Sequence, residues 1–217
     1  MVVNYARDRA GAEEVVGAIG SAGGRAHAVQ ADVGRVTDVE RLFTEGEAFF
    51  GAVDIVVNNA SVFGFAPLAD TSDDQLQGMI GANLLGTIYV CREGLKHYPA
   101  TGGSIINIGS MASVRYSAGA TAYAATKAAV TGVTGVLAVE LAPRNIRVNQ
   151  INPGAVDTEG ARAVGAMSEA ARAAYVQRTP LGRLGTPADI ASLAVFLASD
   201  AASWITGEVI AVSGGLR

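Results

Sequence analysis

Along this chain, short apolar runs alternate with stretches in which apolar residues recur every three or four positions. The runs predict buried strands, the recurrences predict amphipathic helices, and their alternation predicts βαβ units on a parallel sheet. Residues 1–5 read as a strand. A helix is expected over about 8–22, with Ala12, Val15, Val16 and Ile19 on one face and a stop at Gly23-Gly24. A strand at about 26–31 follows, ending at Asp32. Thr37 and Glu40 then read as a capping box for a helix that turns Val39, Leu42, Phe43 and Phe49 inward. After a strand at 53–57, Ser72 and Gln75 form a second box, opening a long helix to about His97. The central strand carries Ile105, Ile106 and Ile108 and feeds another helix, and further strands are expected at 146–151 and 209–212. Residues 155–185 read as irregular with a short helix after Ser168, and Thr186-Pro187 opens the last helix. That makes six strands in one domain spanning 1–217, without repeats, linkers or low-complexity tracts.

Composition agrees with a compact α/β protein: half the residues are hydrophobic, 27 are glycine and only 17% are charged. The net charge of −4 comes with no basic patch, so no nucleic-acid partner is expected. No apolar run approaches the ~18 residues of a membrane span, and there is no signal peptide, so no membrane association is expected either. The single cysteine, Cys91, excludes an internal disulfide and fits a reducing, cytoplasmic setting; within its apolar stretch it reads as buried filler. One cysteine and two distant histidines, His27 and His97, give no zinc site.

The candidate chemistry sits in 103–129. Tyr123 and Lys127 are four residues apart on a helix and share a face, while Ser110 lies thirteen residues before the tyrosine, in the loop leaving the central strand. An alcohol/ketone redox site needs that set. A carbonyl that receives a hydride becomes an alkoxide and needs a proton donor in reach. A free phenol, with a pKa of about 10, exchanges protons sluggishly near neutrality. A cation ~4 Å away, at an effective dielectric of ~20, is worth roughly 4 kcal/mol and brings the phenol near 7 if desolvation is neglected. Ser110 can hold the carbonyl oxygen by a hydrogen bond.

With these residues in place the chain resembles a classical short-chain dehydrogenase/reductase, close to the 3-oxoacyl-carrier-protein reductase and glucose dehydrogenase branches. The resemblance implies a Rossmann-like, doubly wound parallel sheet. It also implies that the family's first strand, its Thr-Gly-x-x-x-Gly-x-Gly turn and its first helix are absent, since six strands stand where the family has seven and no glycine-rich turn follows a strand. Met1 sits where a strand valine fits, and a GTG codon is read as either valine or a start, so a misplaced start site is expected.

The resemblance further assigns Asp32-Val33 to the adenine ring. Asn59 and Ala60, within Asn58-Asn59-Ala60-Ser61, match the family's Asn-Asn-Ala-Gly with serine in the glycine's place. Asn83 matches the asparagine that holds a water for proton relay to the lysine, and Tyr123 and Lys127 also meet the cofactor. Pro153, Gly154, Val156 and Thr158 match the segment that grips the nicotinamide carboxamide. The first strand present ends Asn4-Tyr5-Ala6-Arg7, with no acid at its tip and a cation nearby. An acid there would bond the ribose 2′-hydroxyl of NAD, so NADP(H) is expected over NAD(H), with Arg7 as the phosphate partner. The expected activity is hydride transfer between a nicotinamide and a small-molecule secondary alcohol or ketone, of modest size and rather apolar. The resemblance also implies a dimer or tetramer, since in the family the helices that here carry Asn83 and Tyr123 pair between subunits. Two other readings stand beside it: a silent partner subunit unable to bind dinucleotide, and a binding protein that keeps the pocket for another ligand.

Overall fold

The structure, a computed structural model, describes residues 1–163 and 165–216. Among these residues six parallel strands lie in two sheets. β1 (Val2–Tyr5) pairs with β2 (His27–Gln30), and β3 (Ile55–Asn58), β4 (Gly103–Ile108), β5 (Ile146–Pro153) and β6 (Val209–Val212) form the second sheet in that order. The helices are α1 (Arg9–Ser21), α2 (Val36–Phe50), α3 (Asp73–Met79), α4 (Gly86–Gly94), α5 (Thr121–Leu141), α6 (Glu159–Ala163), α7 (Glu169–Arg178) and α8 (Pro187–Ala198).

Strand period two sorts the central side chains onto two faces. Ile105, Ile146 and Val148 join Phe43, Val56, Val90 and Leu141 in a core under α2, α4 and α5. Ile106 and Ile151 face the other way and pack with Leu197 of α8. Helices thus cover both faces of β4 and β5, which is the doubly wound arrangement. Between β1 and β3 no strand lies among the described residues, and each of the two strands has one edge without a partner. Along the slot Ile55 and Val57 remain 46% and 48% exposed. Val15 is exposed as well, although helical periodicity placed it inward: α1 packs chiefly on β1 and β2.

The two sheets are joined chiefly through α2 and α4. Val39 and Phe43 enter the same core as Val56 and Val90, Phe43 stacks on His97, and His97 Nδ1 lies 2.8 Å from Glu47 Oε2.

Several local expectations need correction. Thr37 does not cap α2, which begins one residue earlier, after Arg35 and without a side-chain cap; Asp38 instead accepts the backbone N–H of Asp32 at 2.9 Å. The Ser72–Gln75 box is present, but the helix it opens is not uniform. A π turn over Ile80–Leu85 separates α3 from α4, and α4 ends at Gly94 rather than near His97. The helix expected after Ser168 is present, capped by that serine, and among the described residues of 155–185 the short α6 precedes it. Thr121–Arg144, with a mean hydropathy of 1.3, is long and apolar enough to cross a membrane by length and composition, contrary to expectation. Buried Thr126, Lys127 and Thr134 mark it as a helix packed on the sheet.

Candidate active site

All the polar positions singled out along the sequence fall at the carboxyl ends of strands or on the helices beside them, the usual ligand edge of an open parallel sheet. Ser110 leaves β4 in an extended conformation, and its Oγ accepts the N–H of Ala112 at 3.1 Å. Tyr123 and Lys127 stand one turn apart at the start of α5, the lysine Nζ 5.8 Å from the centre of the phenol ring. Burial pushes the Tyr123 phenol above its ordinary 10, and the Ser110 hydroxyl beside it acts in the opposite sense. The expected descent toward 7 is therefore not seen. Loss of water dominates, and the lysine spends one N–H on the carbonyl of Ile108 at 2.8 Å.

Lys127 itself is 3% exposed, and desolvation lowers its pKa to about 8. An ammonium carries three donors, so two N–H groups remain beyond the bond to Ile108.

Asn83, 1% exposed, sits inside the π turn. Its Oδ1 accepts from Ser61 Oγ at 3.0 Å and from the Val62 N–H at 2.8 Å. Its Nδ2 donates to the Val62 carbonyl at 2.9 Å and to Thr126 Oγ1 at 3.1 Å. The amide is spent on the loop after β3 and on the residue next to Lys127. Its backbone carbonyl accepts from Thr87 Oγ1 at 2.9 Å. Asn83 thus positions the loop after β3 against α5.

The remaining candidates are more scattered. Arg7 is exposed beyond the tip of β1, and Asp32, exposed at the end of β2, folds back to accept the Gly34 N–H at 3.0 Å. Val33 is buried in the core against Gly86, which leaves only its backbone for a ligand. Asn59 and Ala60 are exposed beyond the tip of β3. Pro153 ends β5, and Gly154 donates to the Val212 carbonyl at 2.9 Å; a Cβ there would meet Ser213 Cα at 2.8 Å, so the close approach requires glycine. Val156 bridges to Gly185, and Thr158 Oγ1 accepts the Ala161 N–H at 3.1 Å, keeping its own proton for another acceptor.

Sequence reasoning missed the chain of amides beneath the site. Asn58 Nδ2 donates to Asn107 Oδ1 at 2.8 Å and Asn107 Nδ2 to Thr134 Oγ1 at 2.9 Å. Thr134 Oγ1 bonds Gln150 Oε1 at 3.1 Å, and Gln150 Nε2 donates to Asn152 Oδ1 at 2.7 Å. Asn152 Nδ2 reaches Ser113 Oγ at 3.2 Å, and that hydroxyl donates to the Ser110 carbonyl at 2.7 Å. The relay crosses three strands and ends on the catalytic-serine candidate. Polar residues alternating inside an apolar strand, as in IRVNQINP, are the signal that points to it. Gly109 makes room: a Cβ there would collide with Asn152 Oδ1 and Gln150 Nε2.

Comparison with known proteins agrees with this geometry. The family model described as enoyl-(acyl carrier protein) reductase matches residues 1–217. An uncharacterised oxidoreductase of Methylorubrum extorquens is 45% identical over 217 residues, covering all of this chain and 87% of the relative. A short-chain dehydrogenase/reductase from Serratia marcescens superposes with a TM-score of 0.92 at 34% identity, covering 99% of this chain and 86% of that one. A gluconate 5-dehydrogenase from Burkholderia cenocepacia, solved in complex with NADP and tartrate, gives 0.90 at 32%, covering 99% and 84%. With a serine, a tyrosine and a lysine gathered at the carboxyl edge of a doubly wound sheet, and with similarity to such enzymes along residues 1–217, the chain belongs to the short-chain dehydrogenase/reductase family of oxidoreductases that act on CH–OH and C=O groups.

Proposed function

We propose that the protein interconverts a ketone and a secondary alcohol with NADP(H), Tyr123 being the general acid and base. The observation that carries this is Lys127: a buried ammonium beside the phenol with donors left over. Those donors suit the hydroxyls of a ribose. The fit to a nicotinamide dinucleotide is divided. Tyr123, Lys127 and the 153–158 segment suit its nicotinamide-ribose half. For the pyrophosphate, no glycine-rich turn joins a strand to a helix N-terminus among the described residues, and the slot between β1 and β3 is open.

NADPH, when bound, supplies the hydride. Ser110 donates to the substrate oxygen and fixes the carbonyl against Tyr123. A phenol raised by burial stays protonated at neutral pH, the state a proton donor needs. When the proton leaves, the positive charge of Lys127, 5.8 Å from the centre of the ring, favours the phenolate. Preference for NADP(H) over NAD(H) is supported by the missing acid at the tip of β1, by Arg7 beyond it, and by the NADP held by the gluconate 5-dehydrogenase relative.

A second copy of the chain fits the outer face of α4 and α5, where a groove of about 500 Å³ is lined by apolar residues with Arg92 and Glu140 among them. Opposite charges on one face can pair across a two-fold axis. Steady-state NADPH oxidation with a panel of ketones tests the reaction. Tyr123→Phe is expected to lower kcat at least ~10²-fold, and near-wild-type turnover in that variant refutes the acid-base assignment.

A further inference from the structure

The loop after β3 brings two phenylalanines to the phenol. Phe63 and Phe65 present their rings to Tyr123 at centroid distances of 6.1 and 6.0 Å, with interplanar angles of 61° and 64°. They lie 6.3 Å from each other. Edge-to-face contacts at these distances are favourable and leave ring faces available. The loop that carries them is fixed at both ends: Asn83 holds Ser61 and Val62, and the Ala66 N–H donates to the Gly119 carbonyl at 3.0 Å. That last bond joins the loop to the segment leading into α5, where Val114 and Tyr116 are exposed.

Phe65 is 51% exposed although it is pinned beside the half-buried Tyr123. Across 62–68 and 114–119 the one charged side chain is Arg115, and no carboxylate or amide occurs. The polar side chains of that rim, Arg115, Tyr116 and Ser117, are all exposed to solvent, so a polyol or sugar acid would exchange water for partners that are themselves hydrated and gain little. A flat ring stacks there without leaving polar groups unmatched.

We infer that Phe63 and Phe65 are specificity-determining residues that select a carbonyl fused to or borne on a flat, apolar ring system, with an aromatic ketone as the simplest member of the class. This rests on the carbonyl-reduction reading, with the carbonyl oxygen directed to Ser110 and Tyr123 and the ring lying against Phe65.

The test measures binding separately from turnover. Ligand-detected NMR and calorimetry with the 217-residue protein compare 1-tetralone, cyclohexanone and fructose, in the presence and absence of NADPH. The expected result is 1-tetralone bound about ten-fold tighter than cyclohexanone, and fructose bound weakest. Phe65→Ala removes the advantage over cyclohexanone, and Phe65→Leu, similar in apolarity but without a ring face, retains only part of it. Both variants keep the wild-type circular dichroism, since the side chain is half exposed. Equal affinities for the two ketones, an advantage untouched by Phe65→Ala, full retention in Phe65→Leu, or no binding of 1-tetralone overturns the inference.

Hydride transfer is scored on its own. Phe65-dependent binding without NADPH oxidation on any ketone leaves the ring site standing and removes the oxidoreductase reading. Turnover of fructose or cyclohexanone with no preference for the ring ketone does the reverse.

Discussion

Lys127 is expected to destabilise the fold it serves, and Lys127→Met measures by how much. Burial moves its pKa from the ordinary 10.5 to about 8. At ~1.4 kcal/mol for each pH unit, keeping the ammonium charged inside the fold costs about 3 kcal/mol. The sign follows from proton counting. Between about 8 and 10.5 the unfolded chain holds more protons than the folded one, so this group's contribution is complete above 10.5 and is lost as pH falls through about 8. At neutral pH the wild type therefore carries the full cost.

Methionine fills a similar volume without the charge, but it strips the Ile108 carbonyl of its donor, a loss of about 1 kcal/mol. The net gain for Lys127→Met near pH 7 is about 2 kcal/mol, or roughly 4–8 °C in Tm for a domain of this size. Cys91, raised to about 12, and Tyr98, also raised, titrate in the same alkaline range and pull stability the other way. They are common to both proteins and cancel in the difference. Urea unfolding from about pH 7 to about pH 10 should show the variant's advantage shrinking to nothing as the wild-type lysine loses its proton. A difference that does not change with pH, or a variant less stable than wild type at neutrality, refutes the reasoning.

Three further outcomes are expected. If Arg7 meets the 2′-phosphate, Arg7→Ala weakens NADPH by ~1.5–3 kcal/mol and spares NADH, as read by cofactor titration; equal losses count against the assignment. Gly109→Ala drives a methyl into Asn152 and Gln150 and is expected to cost ~1–3 kcal/mol in urea unfolding, with kcat falling because the Ser110 turn loses its support. If the α4–α5 face pairs two copies, Val139→Asp, at a position 76% exposed on α5, is expected to lower the mass seen by light scattering, and an unchanged mass rules that face out.

The division between what the chain's pattern disclosed and what it concealed follows physical lines. Strands and helices were legible because each has one apolar period, and the Ser72 box was legible because both its partners lie within one turn. Thr37 misled because the same residue types occurred inside α2, where Asp38 was drawn to Asp32 by a contact six residues back. The π turn was invisible because a single extra residue per turn leaves the apolar period nearly intact. Ser110, Tyr123 and Lys127 could be read from spacing along one strand, loop and helix. The relay from Asn58 to Ser113 could not, since its members come from β3, β4, α5 and β5 and from the turn after β4, and meet only in the folded sheet. The aromatic cluster was hidden for the same reason: Phe63 and Phe65 are sixty and fifty-eight positions from Tyr123.

The break between β1 and β3 also sets the order in which the molecule comes apart. β4 and β5 exchange hydrogen bonds on both edges, whereas β1 and β2 form an isolated pair attached mainly through α2. Opening at the α2–α4 seam costs the packing of Val39 and Phe43 and the His97–Glu47 contact, but no ladder of strand hydrogen bonds. The first fifty residues are therefore expected to open as their own unit, their amides exchanging with solvent through an opening of lower free energy than the one that releases β4 and β5, as hydrogen exchange would read. Arg7 and Asp32 belong to that outer unit and Tyr123 to the inner one. A dinucleotide held by both would act as the tie between them, slowing exchange in β1 and β2 far more than in the central strands.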